Sequence, residues 1–120
     1  MGDYRTLLGY QKAFSLAMRI YQVSKDISFR RKVWIDCTNQ EFFKISLYNI
    51  VEAYKRRRYK DYFISKLNDA ETENAETQVW LDFALSCNYF TNEIYLELKS
   101  ANDEVAKLVL YMINNPDKFL

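Results

Sequence analysis

Apolar side chains recur along this chain at spacings of three and four, the pattern of helices that bury one face. It is cleanest in the third quarter. There Phe63, Leu67, Ala70, Asn74, Thr77, Leu81 and Ala84 follow one another at steps of 4, 3, 4, 3, 4 and 3, a heptad seam with small or polar members at its middle. A second edge carries Val79, Trp80, Phe83 and Cys87. The spacing predicts a helix from Tyr59 to Asn88, about 45 Å long at ~1.5 Å per residue. Next, Ile94, Leu98, Ala101, Val105, Leu108 and Met112 repeat in the same way. Thr91 suits the N-cap of this helix, Glu93 its first turn, and Pro116 stops it near Asn115.

Toward the N-terminus, Tyr10, Phe14, Ala17 and Tyr21 form a stripe that Ala13, Leu16 and Ile20 widen, which predicts a helix from Leu7 to Lys25. Gln11, Lys12, Ser15, Arg19 and Gln22 fill its wet side, and the polar stretch from Ser24 to Lys32 reads as a connection. A further helix is predicted from Trp34 to Tyr54. Its two apolar edges, Ile35, Phe42 and Ile45 against Phe43, Leu47, Ile50 and Tyr54, suit a helix that is central or shared with another subunit. The residues from Lys55 to Arg58 make the next turn.

Glycine occurs only at Gly2 and Gly9, and proline only at Pro116. Hairpins need residues that tolerate positive φ, so the scarcity of Gly and Pro points to long helices joined by short polar loops. The predicted fold is all-α, a single domain over residues 1–120, built as an antiparallel up-down-up-down four-helix bundle.

Composition adds a partner to this picture. Ten Tyr, eight Phe and two Trp exceed what one small core takes, so part of the aromatic surface is expected against another molecule. The charge is nearly balanced, 17 basic against 16 acidic residues, unlike a strongly basic nucleic-acid binder. No apolar run approaches the roughly 18 residues of a membrane span. With no signal peptide recognisable, a cytoplasmic location and no membrane association are expected. The start from Met1 to Thr6 formally fits a myristoylation pattern, for which coincidence is the plainer account.

The candidate chemistry is thin. Lys55, Arg56, Arg57, Arg58 and Lys60 place five cations within six residues, interleaved with Tyr54 and Tyr59. Such a cluster can neutralise phosphates while tyrosines stack on unpaired bases; it can equally be a solvated turn. Arg30, Arg31 and Lys32 form a second basic group, at the opposite end of an up-down bundle. Asp69, Glu71, Glu73 and Glu76 are of the residue type that holds metals in helical bundles, but the chain has no histidine, and no metal or cofactor is expected. Asn49, Glu52, Asn74 and Thr77 could satisfy one another across the bundle as a polar network fixing helix register. Glu52 and Glu76 could pair as acid and base, yet no nucleophile, oxyanion donor or phosphate loop accompanies them, so no catalytic residue and no enzyme activity are expected. Cys37 and Cys87 lack Cys-x-x-Cys spacing and read as packing residues.

Several ordered stretches together resemble the bacterial family of 23S rRNA intervening-sequence proteins. They are Gln11-Lys12-Ala13 with Leu16, Ala17, Ile20 and Tyr21; Asn49-Ile50 and Glu52-Ala53-Tyr54 with the Arg/Lys run; Lys66-Leu67, Asp69-Ala70, Glu73-Asn74 and the stretch from Glu76 to Leu85; then Tyr89, Met112-Ile113 and Asn115 to Phe119. The resemblance implies an antiparallel bundle that assembles as a ring-shaped homopentamer, without established enzymatic activity. Some members are encoded within insertions of large-subunit ribosomal RNA genes, and related bundles accompany the reverse transcriptases of diversity-generating retroelements. The sequence departs from the family at Thr38, Gln40 and Glu41, where Gln and an Arg pair are usual, at Phe42, Phe43 and Tyr48, where small residues are usual, and at Asn88, where Gly is usual. The functional expectation is a non-enzymatic oligomer that binds RNA or DNA through Lys55, Arg56, Arg57, Arg58, Tyr59 and Lys60. The alternative is a protein-interaction scaffold with no nucleic-acid role.

Overall fold

The computed structural model describes residues 2–25 and 47–120, and these are all-α, with four helical segments and no strand among them. Helix α1 spans Leu8–Ser24, the described part of α2 covers 47–55, α3 spans Lys60–Ser86 and α4 spans Asn92–Asn114. Short 3-10 turns at Tyr4–Thr6 and Pro116–Lys118 flank them. The predicted helix from Trp34 thus lies largely outside the described residues, as do Cys37 and the Arg30, Arg31 and Lys32 group.

Local chemistry sets the ends of the last two helices. The Thr91 hydroxyl accepts from the Ile94 N–H at 3.2 Å, the expected N-cap of α4. Helix α3 ends with Asn88 in the left-handed region at φ 59°. The Asn88 N–H bonds to the Leu85 carbonyl at 3.0 Å and the Tyr89 N–H to that of Ala84 at 2.9 Å, the paired bonds of a Schellman cap. The chain reverses there, and partners down α3 and along α4 with the turn after it run in opposite order: Gln78 meets Tyr95, Asn74 meets Asn102, and Lys60 meets Asp117. Helix α1 is likewise antiparallel to α4, through Lys12 with Glu104 and Arg19 with Glu97.

The core sits between these faces. Every residue of the α3 seam, from Phe63 to Ala84, is buried as the spacing requires. Its second edge splits: Trp80 is buried, whereas Val79 is 67% exposed. On α1 the Ala13, Leu16 and Ile20 edge of the expected stripe is buried, whereas its ring-bearing edge is not. The buried set is Gly9, Ala13, Leu16, Ile20, Val23 and Ser24, while Phe14 and Tyr21 are exposed. The buried contact mixes small residues with Leu16, Ile20 and Val23, and Phe14 and Tyr21 lie outside it. On α4 the buried set is Leu98, Asn102, Val105, Val109 and Met112, so Asn102 and Val109 replace the expected Ala101 and Leu108.

Candidate nucleic-acid interface

The basic run lies where the chain leaves α2 and enters α3. The Arg57 N–H bonds to the Tyr54 carbonyl at 3.3 Å, the Tyr59 N–H to that of Arg56 at 2.9 Å, and Tyr59 caps α3 in an extended conformation. So tight a reversal forces consecutive side chains outward, and Lys55, Arg56, Arg58, Tyr59 and Lys60 are all exposed.

Tyrosine rings hold these cations. The Arg57 guanidinium lies 4.0 Å from the Tyr54 ring centre, and its Nη1 donates to the Tyr54 carbonyl at 2.8 Å. Arg58 lies 5.0 Å from the Tyr59 ring, Arg56 5.3 Å from Tyr62, and the Lys55 ammonium 5.7 Å from Tyr4. Contacts of this kind contribute roughly 0.5–1 kcal/mol each at exposed sites and leave the positive charge in place. Lys60 is ion-paired, its Nζ 3.4 Å from Asp117 Oδ1; among the described residues no carboxylate forms an ion pair with Lys55, Arg56 or Arg58. The Asp3 carboxyl is held below its ordinary range chiefly by the Arg5 backbone N–H, with a smaller contribution from Lys55. Tyr54 is buried beneath Arg57, so of the two interleaved rings only Tyr59 is open for stacking.

Between this turn and the C-terminal segment lies an open cleft of about 580 Å³, lined by Gly2, Tyr54, Lys55, Arg57, Arg58, Phe119 and Leu120. Phe119 is fixed there by rings on two helices, 6.4 Å from Phe63 and 6.2 Å from Tyr111 between centres.

The family model of the 23S rRNA-intervening sequence proteins matches residues 5–111, from the start of the N-terminal turn almost to the end of α4. The chain belongs to this family. A solved structure of a protein of unknown function from the S23 ribosomal protein family of Bacteroides thetaiotaomicron VPI-5482 is similar in fold, with a TM-score of 0.60 and 24% identity over 88% of this chain and 98% of that one. None of the curated proteins matches the chain. Neither the family nor the Bacteroides protein is described as an enzyme.

Beyond the basic turn, no hydrogen bond among the described residues joins Asn49, Glu52, Asn74 and Thr77 to one another. Asn74 bonds instead across to Asn102, which lies outside the expected set. Thr77 donates back to the Glu73 carbonyl of its own helix at 3.0 Å. Glu52 is exposed and meets Lys66 at 3.3 Å and the Tyr62 hydroxyl at 3.4 Å, while Asn49 is buried on α2. Glutamate belongs at the rim because burying its charge without a close cation is costly. Lys66 and Glu76 are ten residues apart on α3, about 15 Å, which separates Glu52 from Glu76 as an acid–base pair. Asp69 and Glu71 are exposed and Glu73 and Glu76 half-buried; among the described residues no group of three potential metal ligands forms. Cys87 caps the end of α3, half-buried.

A second polar cluster is likewise absent from the sequence-based expectations. The Tyr95 hydroxyl donates to Asp82 Oδ1 at 2.6 Å, and Gln78 Nε2 donates to the same oxygen at 2.8 Å. The carboxylate holds the Tyr95 hydroxyl above its ordinary pKa. Its signal in the sequence is the i, i+4 spacing of Gln78 and Asp82 opposite a tyrosine near the start of α4.

Proposed function

We propose that this protein is a non-enzymatic, cytoplasmic, self-associating bundle that binds RNA or DNA through the turn between α2 and α3. One observation carries the reading: Lys55, Arg56 and Arg58 project from one tight turn, braced by tyrosine rings and, among the described residues, not neutralised by carboxylates. Phosphates are attracted by such a local concentration of charge even on a nearly neutral chain.

Self-association is supported by apolar side chains that face outward: Phe14, Met18 and Tyr21 along α1, and Leu96 and Leu110 on α4. A homopentameric ring, the assembly that the family resemblance implies, would repeat the basic turn around its rim and raise avidity without raising net charge. Among the described residues no helix is long and apolar enough to cross a membrane.

The test is fluorescence anisotropy with single-stranded RNA, structured RNA and duplex DNA at two salt concentrations, on protein whose oligomeric state has been fixed by light scattering. Each phosphate contact should add about −0.7 to the slope of log K against log salt on single strands and about −0.9 on duplex. Lys55→Ala should reduce the slope by one such step. Absence of binding at low salt, or binding indifferent to salt, rejects the reading and favours the protein-scaffold alternative.

A further inference from the structure

The cleft beside the basic turn has two unlike components. Lys55, Arg57 and Arg58 bring positive charge to its lining, and Phe119, from the C-terminal segment, brings a ring, together with the buried Tyr54 and with Gly2 and Leu120. A cleft that offered only charge would suit any polyanion. One that offered only rings would suit an apolar segment. Their combination calls for a ligand with both an anionic group and a flat apolar ring.

We infer that this cleft receives a single unpaired nucleotide, its phosphate against Lys55, Arg57 and Arg58 and its base against Phe119. The inference rests on the nucleic-acid reading above and makes it specific. Bases of a duplex are stacked inside the helix and present only phosphates to such a surface, whereas bases in loops and single strands can be splayed onto aromatic side chains. A cleft of about 580 Å³ falls within the size range of small-molecule sites. Both components are ordered in advance. The Arg57 fork is pinned on Tyr54 by stacking and by its bond to the Tyr54 carbonyl, and Phe119 is packed against Phe63 and Tyr111. Fewer rotamers are therefore lost on binding. Asp3 is paired with Arg5, and Asp117 with Lys60.

Two measurements test this. Isotope-labelled protein is titrated with adenosine 5′-monophosphate and, separately, with inorganic phosphate. The nucleotide should shift the amide signals of both Lys55 and Phe119, and phosphate only those of the basic turn. In parallel, the affinities of single-stranded RNA and of duplex of the same sequence are compared for the native chain, Phe119→Ala and Phe119→Leu. Loss of the ring should weaken single-strand binding roughly tenfold and leave duplex binding unchanged. The Leu variant keeps apolar packing against Phe63, so its result stands even if the Ala variant unfolds. If RNA binds with a normal salt slope but Phe119→Leu binds equally well and the nucleotide moves no Phe119 signal, the cleft assignment is overturned while the basic-turn reading survives. If the protein binds anionic vesicles but neither nucleotide nor RNA, both are overturned.

Discussion

Asn74 and Asn102 bond to each other in both directions across α3 and α4. Asn74 Nδ2 donates to Asn102 Oδ1 at 2.8 Å, and Asn102 Nδ2 donates to the main-chain carbonyl of Asn74 at 3.1 Å. Both side chains are buried. Each residue stands 14 positions from Asn88, one before it and one after. A slip of α4 along α3 by one turn, about 5.4 Å, would break the pairing and leave both amides without partners. Asn102→Leu should therefore lower unfolding stability by about 2–3 kcal/mol, through the unsatisfied Asn74 amide. Replacing both by Leu should recover part of that loss, giving a coupling of about 1 kcal/mol or more in a double-mutant cycle by urea denaturation. Strictly additive losses would show that the two amides do not act as a unit.

The same pair shows where the sequence is legible and where it is not. The α3 seam can be read in full because its apolar members outnumber its two polar ones, and Asn74 and Thr77 fall into register with them. Asn102 is hidden because a count of apolar positions favours Ala101 over a polar neighbour. The distance of each residue from the α3–α4 turn is what pairs it with Asn74. On α1, ring size misleads: Phe14 and Tyr21 suggest a buried stripe by their bulk, yet the buried contact runs through Gly9, Ala13, Leu16 and Ile20. The basic turn is legible because its cations are nearly consecutive. The cleft is not, because Phe119 reaches it from beyond α4 and only the packing of the chain ends joins them.

The turn between α3 and α4 gives a second prediction. Asn88 occupies a left-handed conformation at φ 59°, which glycine adopts freely, asparagine tolerates, and residues with an ordinary Cβ resist at a cost of roughly 1–2 kcal/mol. Its main-chain N–H and that of Tyr89 close the Schellman cap, so the conformation cannot relax without losing both bonds. Asn88→Ala should lower stability by about 1 kcal/mol, and Asn88→Gly should be at least as stable as the native chain. Denaturant midpoints of the three proteins decide it; equal stability for Ala and Gly would mean that the backbone at this position is not strained.

The ion pair that ties α1 to α4 predicts a pH dependence. Arg19 Nη2 donates to Glu97 Oε1 at 3.0 Å, with a second bond from Nε to the other oxygen, a two-pronged contact. These hydrogen bonds, aided by the attraction of the two charges and opposed by partial desolvation, hold the Glu97 carboxyl below its ordinary value of 4.5. A folded-state value below the unfolded one means that the unfolded chain binds more protons on acidification. The stabilisation is present above the unfolded value and is lost as pH falls through the folded one. Both side chains are nearly half exposed, 41% and 48%, so water and salt screen the pair and its contribution stays below about 1 kcal/mol. Glu97→Gln should accordingly be less stable than the native chain at pH 7 in low salt, and the difference should narrow as the pH falls below the ordinary glutamate value or the salt is raised to ~1 M. Asp3 also titrates in the acid range but is common to both proteins, so it cancels from the comparison. A gap that stays constant from neutral to acid pH would assign the effect of the substitution to packing rather than to charge.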